Sequence, residues 1–296
     1  MYKLYSQPAA SVELGWHIGG PLLLIIFLLA VGIPMWVSMG IGVIALLIFT
    51  EVLPLDLLGE SLFEGIDTFT LIAVPLFILT GDVLVRTGLS NKLLNIADAI
   101  TGSARSGFGS ATVVGCGFFS CISGSDAAGC AAVGRMTFNR LIAAGYPAPY
   151  AAALIASGSC TGILIPPSIA YIVIGMILGI SAATLFVAAI IPGICIMLSI
   201  LITNIVLNRF HSYEDSRSQF SFGQLTDAIW DGRYALLVPF IILGGIYSGI
   251  FTPTEAAAVA VVTTIVIGLV IGTLRVSDFP DMLASSAKVN GVILPT

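Results

Sequence analysis

The stretch FFSCISGSDAAGCAAVGRM, from Phe118 to Met136, carries one acidic residue, Asp126, among small, hydroxyl-bearing and apolar side chains. A carboxylate in such company can hold a small cation, carry a proton, or cap the start of a helix. Ser123, Gly124 and Ser125 directly before it add hydroxyl oxygens and a glycine that lets another backbone come close. A second stretch of the same character, SGSCTGILIPPS, runs from Ser157 to Ser168. In it Gly158 and Gly162 permit close approach, while Ser159, Thr161 and Ser168 offer oxygens. Pro167 cannot donate to a helix ladder, and Pro166 disfavours helical geometry at Ile165.

Both stretches therefore read as breaks between helices. A helix start exposes N–H groups that favour anions, and a helix end exposes carbonyls that coordinate cations. Secondary transporters use discontinuous helices in this way to hold ions and substrate. The same residues also have a plainer use, since small side chains let membrane helices pack closely and a Pro-Pro pair can be a kink. The residues alone leave both readings open. An intramembrane enzyme using Asp126 as acid or base is a weaker alternative, because these segments hold no histidine and no second carboxylate.

The surrounding chain settles what medium these residues sit in. Of 296 residues, 57% are hydrophobic and only 9% charged, against about 25% charged in a soluble domain. So much apolar surface requires a membrane. The net charge of -5 offers no basic patch for a nucleic acid. Cys116, Cys121, Cys130, Cys160 and Cys195 lie in apolar segments without CxxC spacing, which reads as small buried hydrophobes rather than metal or redox ligands. His17 and His211 flank apolar segments and suit a solvated or headgroup position. Lys3 is the only basic residue of the N-terminal tail, and the apolar run after Trp16 is longer than a signal core, so no cleavable signal is expected.

Apolar segments fall at 17–50, 68–85, 106–121, 125–141, 146–180, 182–208, 234–250 and 255–274. A spanning helix needs about 20 such residues. The first segment is too long for one crossing and is expected to tilt, kink or break at Gly32-Ile33-Pro34. The pair 106–121 and 125–141 is too short for two crossings, and 146–180 carries Pro166-Pro167 at its middle. Basic residues favour the cytoplasmic side. Arg86, Lys92 and Arg105, then Arg135 and Arg140, then Arg209, Arg217 and Arg233, and finally Arg275 all fall on one side only if 106–141 enters and leaves by the same face. That makes 106–141 a re-entrant hairpin with its tip at Ser123-Gly124-Ser125-Asp126, and 146–180 one broken span. The loop 51–67 holds Glu51, Asp56, Glu60, Glu64 and Asp67 with no basic residue, which suits the other side. Segment 88–102 suits a helix at the interface, and 210–232 reads as a cytoplasmic loop. The fold class expected is all-α and integral to the membrane, with a re-entrant helical hairpin and a proline-broken span.

Several blocks resemble a family. LIAVPLFILTGDVLVRTGLS, the Gly-Ser hairpin tip followed by AAVG, GYPAPYAAALIASGSCTGILIPPSI, LFVAAIIPG and GGIYSGIFTPTEAAAVAVV occur in the order found in the large membrane subunit of tripartite ATP-independent periplasmic (TRAP) transporters. The resemblance runs from about Pro21 to the end. It implies a secondary transporter of the bacterial inner membrane, a symporter driven by sodium that imports small organic acids such as dicarboxylates. It also implies a small TRAP membrane subunit and a periplasmic substrate-binding protein as partners, and no cofactor beyond the coupling ion. Carried onto this chain, the site would comprise Ser123, Gly124, Ser125 and Asp126 with Gly158, Thr161, Gly162, Pro166, Pro167 and Ser168. Sodium would have candidate ligands in Ser125, Asp126 and Thr161. Glu255 of TPTEAA is expected to serve packing or helix capping instead.

The chain departs from the family in three ways. Where the family usually reads Gly-Ser-Ser-x-Ala-Thr, this tip reads Gly124-Ser125-Asp126-Ala127-Ala128-Gly129, and a usual proline near Phe138 is missing. The chain ends at NGVILPT, within what resembles the early part of a second, inverted half. By the resemblance 1–16 is a polar tail, 17–208 a first repeat, 209–233 a cytoplasmic loop and 234–296 an incomplete start of the second repeat. The expectation is then half of a substrate site, with a truncated, transport-dead remnant that still binds a partner as the rival.

Overall fold

The computed structural model describes residues 16–50, 56–102, 106–214 and 221–293. The N-terminal tail 1–15, Glu51, Arg105 and Arg217, all used in the sequence argument, lie outside the described residues. Among the described residues every regular element is helical. They form two compact units, one of residues before Phe69 with those from Gly291 onward, the other of Phe69–Asn290.

The first unit holds α1 (Trp16–Ala30), α2 (Met35–Thr50) and α3 (Asp56–Ile66). The long apolar run 17–50 is thus two helices, not one bent rod. The chain turns at Gly32, whose φ of +88° suits glycine, and Pro34 stands directly before α2. Helix α2 folds back on α1 so closely that a Cβ at Gly42 would overlap the Ile25 side chain. With 15 and 16 residues, each helix is about 22–24 Å long, short of a hydrocarbon core of about 30 Å.

The second unit opens with α4 (Ala73–Arg86) and α5 (Leu89–Thr101), followed by α6 (Gly107–Ser123) and α7 (Asp126–Ala143), which form the hairpin. The broken span follows as α8 (Ala148–Ser159), the single turn α9 (Thr161–Leu164) and α10 (Ile169–Leu178). Then come α11 (Ala182–His211), α12 (Phe222–Asp231), α13 (Arg233–Tyr247), α14 (Pro253–Ile271) and α15 (Phe279–Ile293). Four helical stretches among the described residues are long and apolar enough to cross a membrane: Phe69–Arg86, Ala148–Leu178, Ala182–His211 and Pro253–Ile271. Helix α11 leaves Val187, Ile191, Ile194 and Ile202 exposed, an apolar surface suited to lipid and not to water. This is an integral membrane protein.

The hairpin is buried at both ends. Near its tip Phe119 and Ile122 join Phe77, Leu84, Phe186, Ile242 and Ala257 in the main core. At its mouth Phe108 and Leu141 pack with Tyr146, Leu154 and Ile155 in a second one. Helix α5 lays Leu89, Leu93, Leu94, Ile96 and Ala97 inward and keeps Asn91 and Asn95 outward, the one-sided pattern of an amphipathic helix.

The stretch 209–233 is not the plain loop expected. Its start completes α11, and Phe222–Asp231 forms α12, bent by 72° from α13. Phe222, Leu225, Ile229 and Trp230 recur at helical spacing, a period that the polar residues between them conceal. Lys92 pairs with Asp231, and Arg140 lies 3.9 Å from Asp98. These two pairs bring the basic segments around α5, the end of α7 and the end of α12 together at one end of the unit. Glu255 caps α14 as expected: Thr252 Oγ1 accepts from the Glu255 amide, and the Glu255 carboxylate accepts from the Thr252 amide.

Candidate functional site

The hairpin tip is a two-residue turn. Gly124 ends α6 with φ +63°, its amide donating to Ser120 O at 3.0 Å. Ser125 is extended and N-caps α7, its Oγ accepting from the Ala128 amide at 3.4 Å. Asp126 is therefore a first-turn residue and not the cap. Its Oδ1 accepts from the Ala127 amide at 2.7 Å, and it is half-buried. The α7 start favours a negative charge there.

In the broken span α9 stops where Ile165 turns extended ahead of the Pro166–Pro167 pair, and Ser168, also extended, leads into α10. The two breaks dock on each other. The Ile169 amide, a free donor at the start of α10, donates to Gly124 O at 3.1 Å. A Cβ on Gly124 would lie 2.9 Å from Pro167 O, and one on Gly162 would lie 3.0 Å from both the Asp126 amide nitrogen and Ser120 Oγ. Helix α11 backs the break, with Gly193 set so that a Cβ would come 3.1 Å from Leu164 O.

The structure thus brings Ser123, Gly124, Ser125 and Asp126 together with Gly162, Pro167 and Ser168. It places Gly158 and Pro166 elsewhere. Gly158 faces Cys116 and Val113 at the crossing of α6 and α8, a packing position, and Pro166 lines an apolar cavity of about 240 Å³ with Gly117, Phe118, Cys121 and Tyr247. The buried Thr161 hydroxyl donates to Gly158 O at 2.6 Å, which leaves its lone pairs for a cation. Ser168 Oγ is fully buried without a hydrogen-bond partner among the described residues. A buried hydroxyl left so costs about 1–3 kcal/mol, which a visiting ion or polar ligand would offset. Among the described residues no three His, Cys, Asp or Glu cluster as a metal site. The donors at the tip are hydroxyls, carbonyls and one carboxylate, a set that suits a hard cation and not a soft one.

Sequence reasoning missed two polar residues here, Ser120 and Glu214. Ser120, one turn before Gly124, donates to Cys116 O at 2.6 Å and looks across to Gly162. Ser159, already counted among the oxygens of the second stretch, meets Cys116 Sγ at 3.6 Å. Glu214, just past α11, reaches the mouth of the hairpin, where its carboxylate accepts from the Phe108 amide at 3.1 Å. Ser120 could have been found from its spacing to the glycine; nothing local marks Glu214.

Residues 22–295 match the model of the family described as Tripartite ATP-independent periplasmic transporter, DctM component. The chain belongs to this family. The isethionate TRAP transporter permease protein DctMQ of Oleidesulfovibrio alaskensis is 33% identical over 267 residues, covering 90% of this chain and 42% of that protein. The C4-dicarboxylate TRAP transporter large permease protein DctM of Rhodobacter capsulatus is 33% identical over 287 residues, 92% of this chain and 65% of its own length. The ectoine TRAP transporter large permease protein TeaC of Halomonas elongata is 34% identical over 269 residues, 90% and 63% respectively. The chain spans less than two thirds of the length of these relatives. DctM relatives bear the names of transporter permeases, not enzymes, so the acid–base role weighed for Asp126 has no support.

Proposed function

We propose that this DctM-family chain forms part of the large permease subunit of a sodium-coupled importer of small organic acids in the bacterial inner membrane. It works there with a small membrane subunit and a periplasmic substrate-binding protein. Residues 17–208 act as the first repeat and 234–296 open the second. The observation that carries this reading is the bond from the Ile169 amide to Gly124 O, beside the Ser168 hydroxyl, which has no hydrogen-bond partner among the described residues. It joins two non-helical segments, and backbone of that kind is tolerated at membrane depth where it lines a cavity or is packed in protein. The carbonyls at the end of α6 and the hydroxyls of Ser125, Thr161 and Ser168 suit a cation, while the starts of α7 and α10 suit a carboxylate. Relatives named for isethionate, C4-dicarboxylates and ectoine support the substrate class.

The test is the sodium dependence of stability. A ligand held only by the folded state raises its stability by about 2.7 kcal/mol at a hundredfold excess over Kd. The chain in lipid nanodiscs should melt at a higher temperature in sodium chloride than in equimolar potassium chloride. Ser125→Ala and Ser168→Ala should each abolish that difference. Equal melting of the parent chain in the two salts would remove sodium from the site.

A further inference from the structure

We propose that Glu214 is a positioning residue that anchors the mouth of the re-entrant hairpin to the end of α11. Helix α6 begins with amides that its own ladder cannot satisfy, as every helix does. Here the chain brings a carboxylate to them from a segment 106 residues away. Both carboxylate oxygens of Glu214 lie 3.1 Å from the Phe108 nitrogen, one lies 3.5 Å from that of Gly109, and the Tyr146 hydroxyl donates to it at 3.1 Å. The glutamate is 4% exposed. Its backbone is clamped in turn by Asn208 of α11, whose side chain donates to Glu214 O and accepts from the Glu214 amide, each at 2.9 Å.

The surroundings are shaped for this reach. Gly145, at φ +105°, has no room for a Cβ against Tyr213 O, so the chain just before Glu214 lies directly on the turn between α7 and α8. Gly109 gives the Tyr146 hydroxyl and the Asn204 amide room beside α6. Burial and the neighbouring Glu214 carboxylate push the Tyr146 phenol pKa up, so it stays a donor. A second tether runs parallel: Asn204 of α11 donates to Ser110 Oγ at 3.3 Å and accepts from the Tyr150 hydroxyl at 3.0 Å. Helix α6, the α7–α8 turn, α8 and the end of α11 are tied at one point. Because α6 is a rod of 17 residues, about 25 Å long, fixing its start fixes the depth of its tip. This role stands whether or not the tip binds sodium.

Hydrogen exchange of the chain in lipid nanodiscs tests it. Glu214→Ala should speed exchange in peptides spanning 107–115 by about tenfold or more, the scale of a lost charge-assisted hydrogen bond. Peptides from α14 should keep the parent rate. Formate at high concentration should restore slow exchange in this variant and leave the parent unchanged, since it can refill the vacated carboxylate position. Tyr146→Phe is the milder variant, should Glu214→Ala fail to fold. It should speed the same peptides several-fold without responding to formate, its carboxylate still being in place. Parent-like exchange at 107–115 in both variants would overturn the anchor. So would a rise spread equally over α14 with no formate rescue.

Discussion

At the scale of single residues, glycine and serine define the tip more than its carboxylate does. Gly124 is required twice, by its positive φ and by the approach of Pro167 O. Gly249 has a similar φ of +74° and open space around it. Gly124→Ala and Gly249→Ala should therefore share a backbone cost of about 1–2 kcal/mol. Only Gly124→Ala adds a packing cost of about 1–3 kcal/mol. Thermal melts of the two variants in one detergent check this, and equal losses would mean the tip can draw back from the break. Those glycines and serines could be read as a break because glycine tolerates positive φ and serine caps helices, although the same types also serve close helix packing. Glu214 was not legible, since a glutamate in a polar stretch carries no local sign of what it faces.

At the scale of elements, the breaks were legible and one helix was not. Gly32-Ile33-Pro34, Gly124-Ser125 and Pro166-Pro167 interrupt apolar runs with residues whose backbone limits are intrinsic, so propensity and structure agree there. Helix α12 escaped because a ten-residue helix among polar residues shows its period weakly and takes its place from packing against α5. The start of α14 lies between these cases. TPTE reads as a cap from sequence, and Thr252 and Glu255 close the box on each other. Thr252→Ala should cost about 1 kcal/mol. Adding Glu255→Gln should cost less than the two single losses summed, because both belong to one reciprocal unit. A double-mutant cycle of melting temperatures measures the difference, and strict additivity would show the two bonds to be independent.

At the scale of the whole molecule, the sidedness argument and the packing converge on one end of the second unit. Sequence placed the basic residues on one side by requiring 106–141 to enter and leave together. The ion pairs Lys92–Asp231 and Arg140–Asp98 join α5, α7 and α12 there, and Glu214 carries the end of α11 to the start of α6 at the same mouth. What sequence could not supply is depth, because a hairpin of two short helices and a pair of short crossings have the same composition. Asn95, before the hairpin, and Asn139, near the end of α7, are both exposed sites for single cysteines, and Ile250, 71% exposed, sits in the turn between α13 and α14. In a chain stripped of Cys116, Cys121, Cys130, Cys160 and Cys195, an impermeant maleimide should reach positions 95 and 139 only from the cytoplasmic face. It should reach position 250 only from the opposite one. The hairpin turns at Gly124 and returns, so a cysteine at 139 on the opposite face from one at 95 would make 106–141 an odd number of crossings. The tip would then no longer be held at membrane depth, and the docking of Gly124 on Ile169 would have to be explained as packing alone.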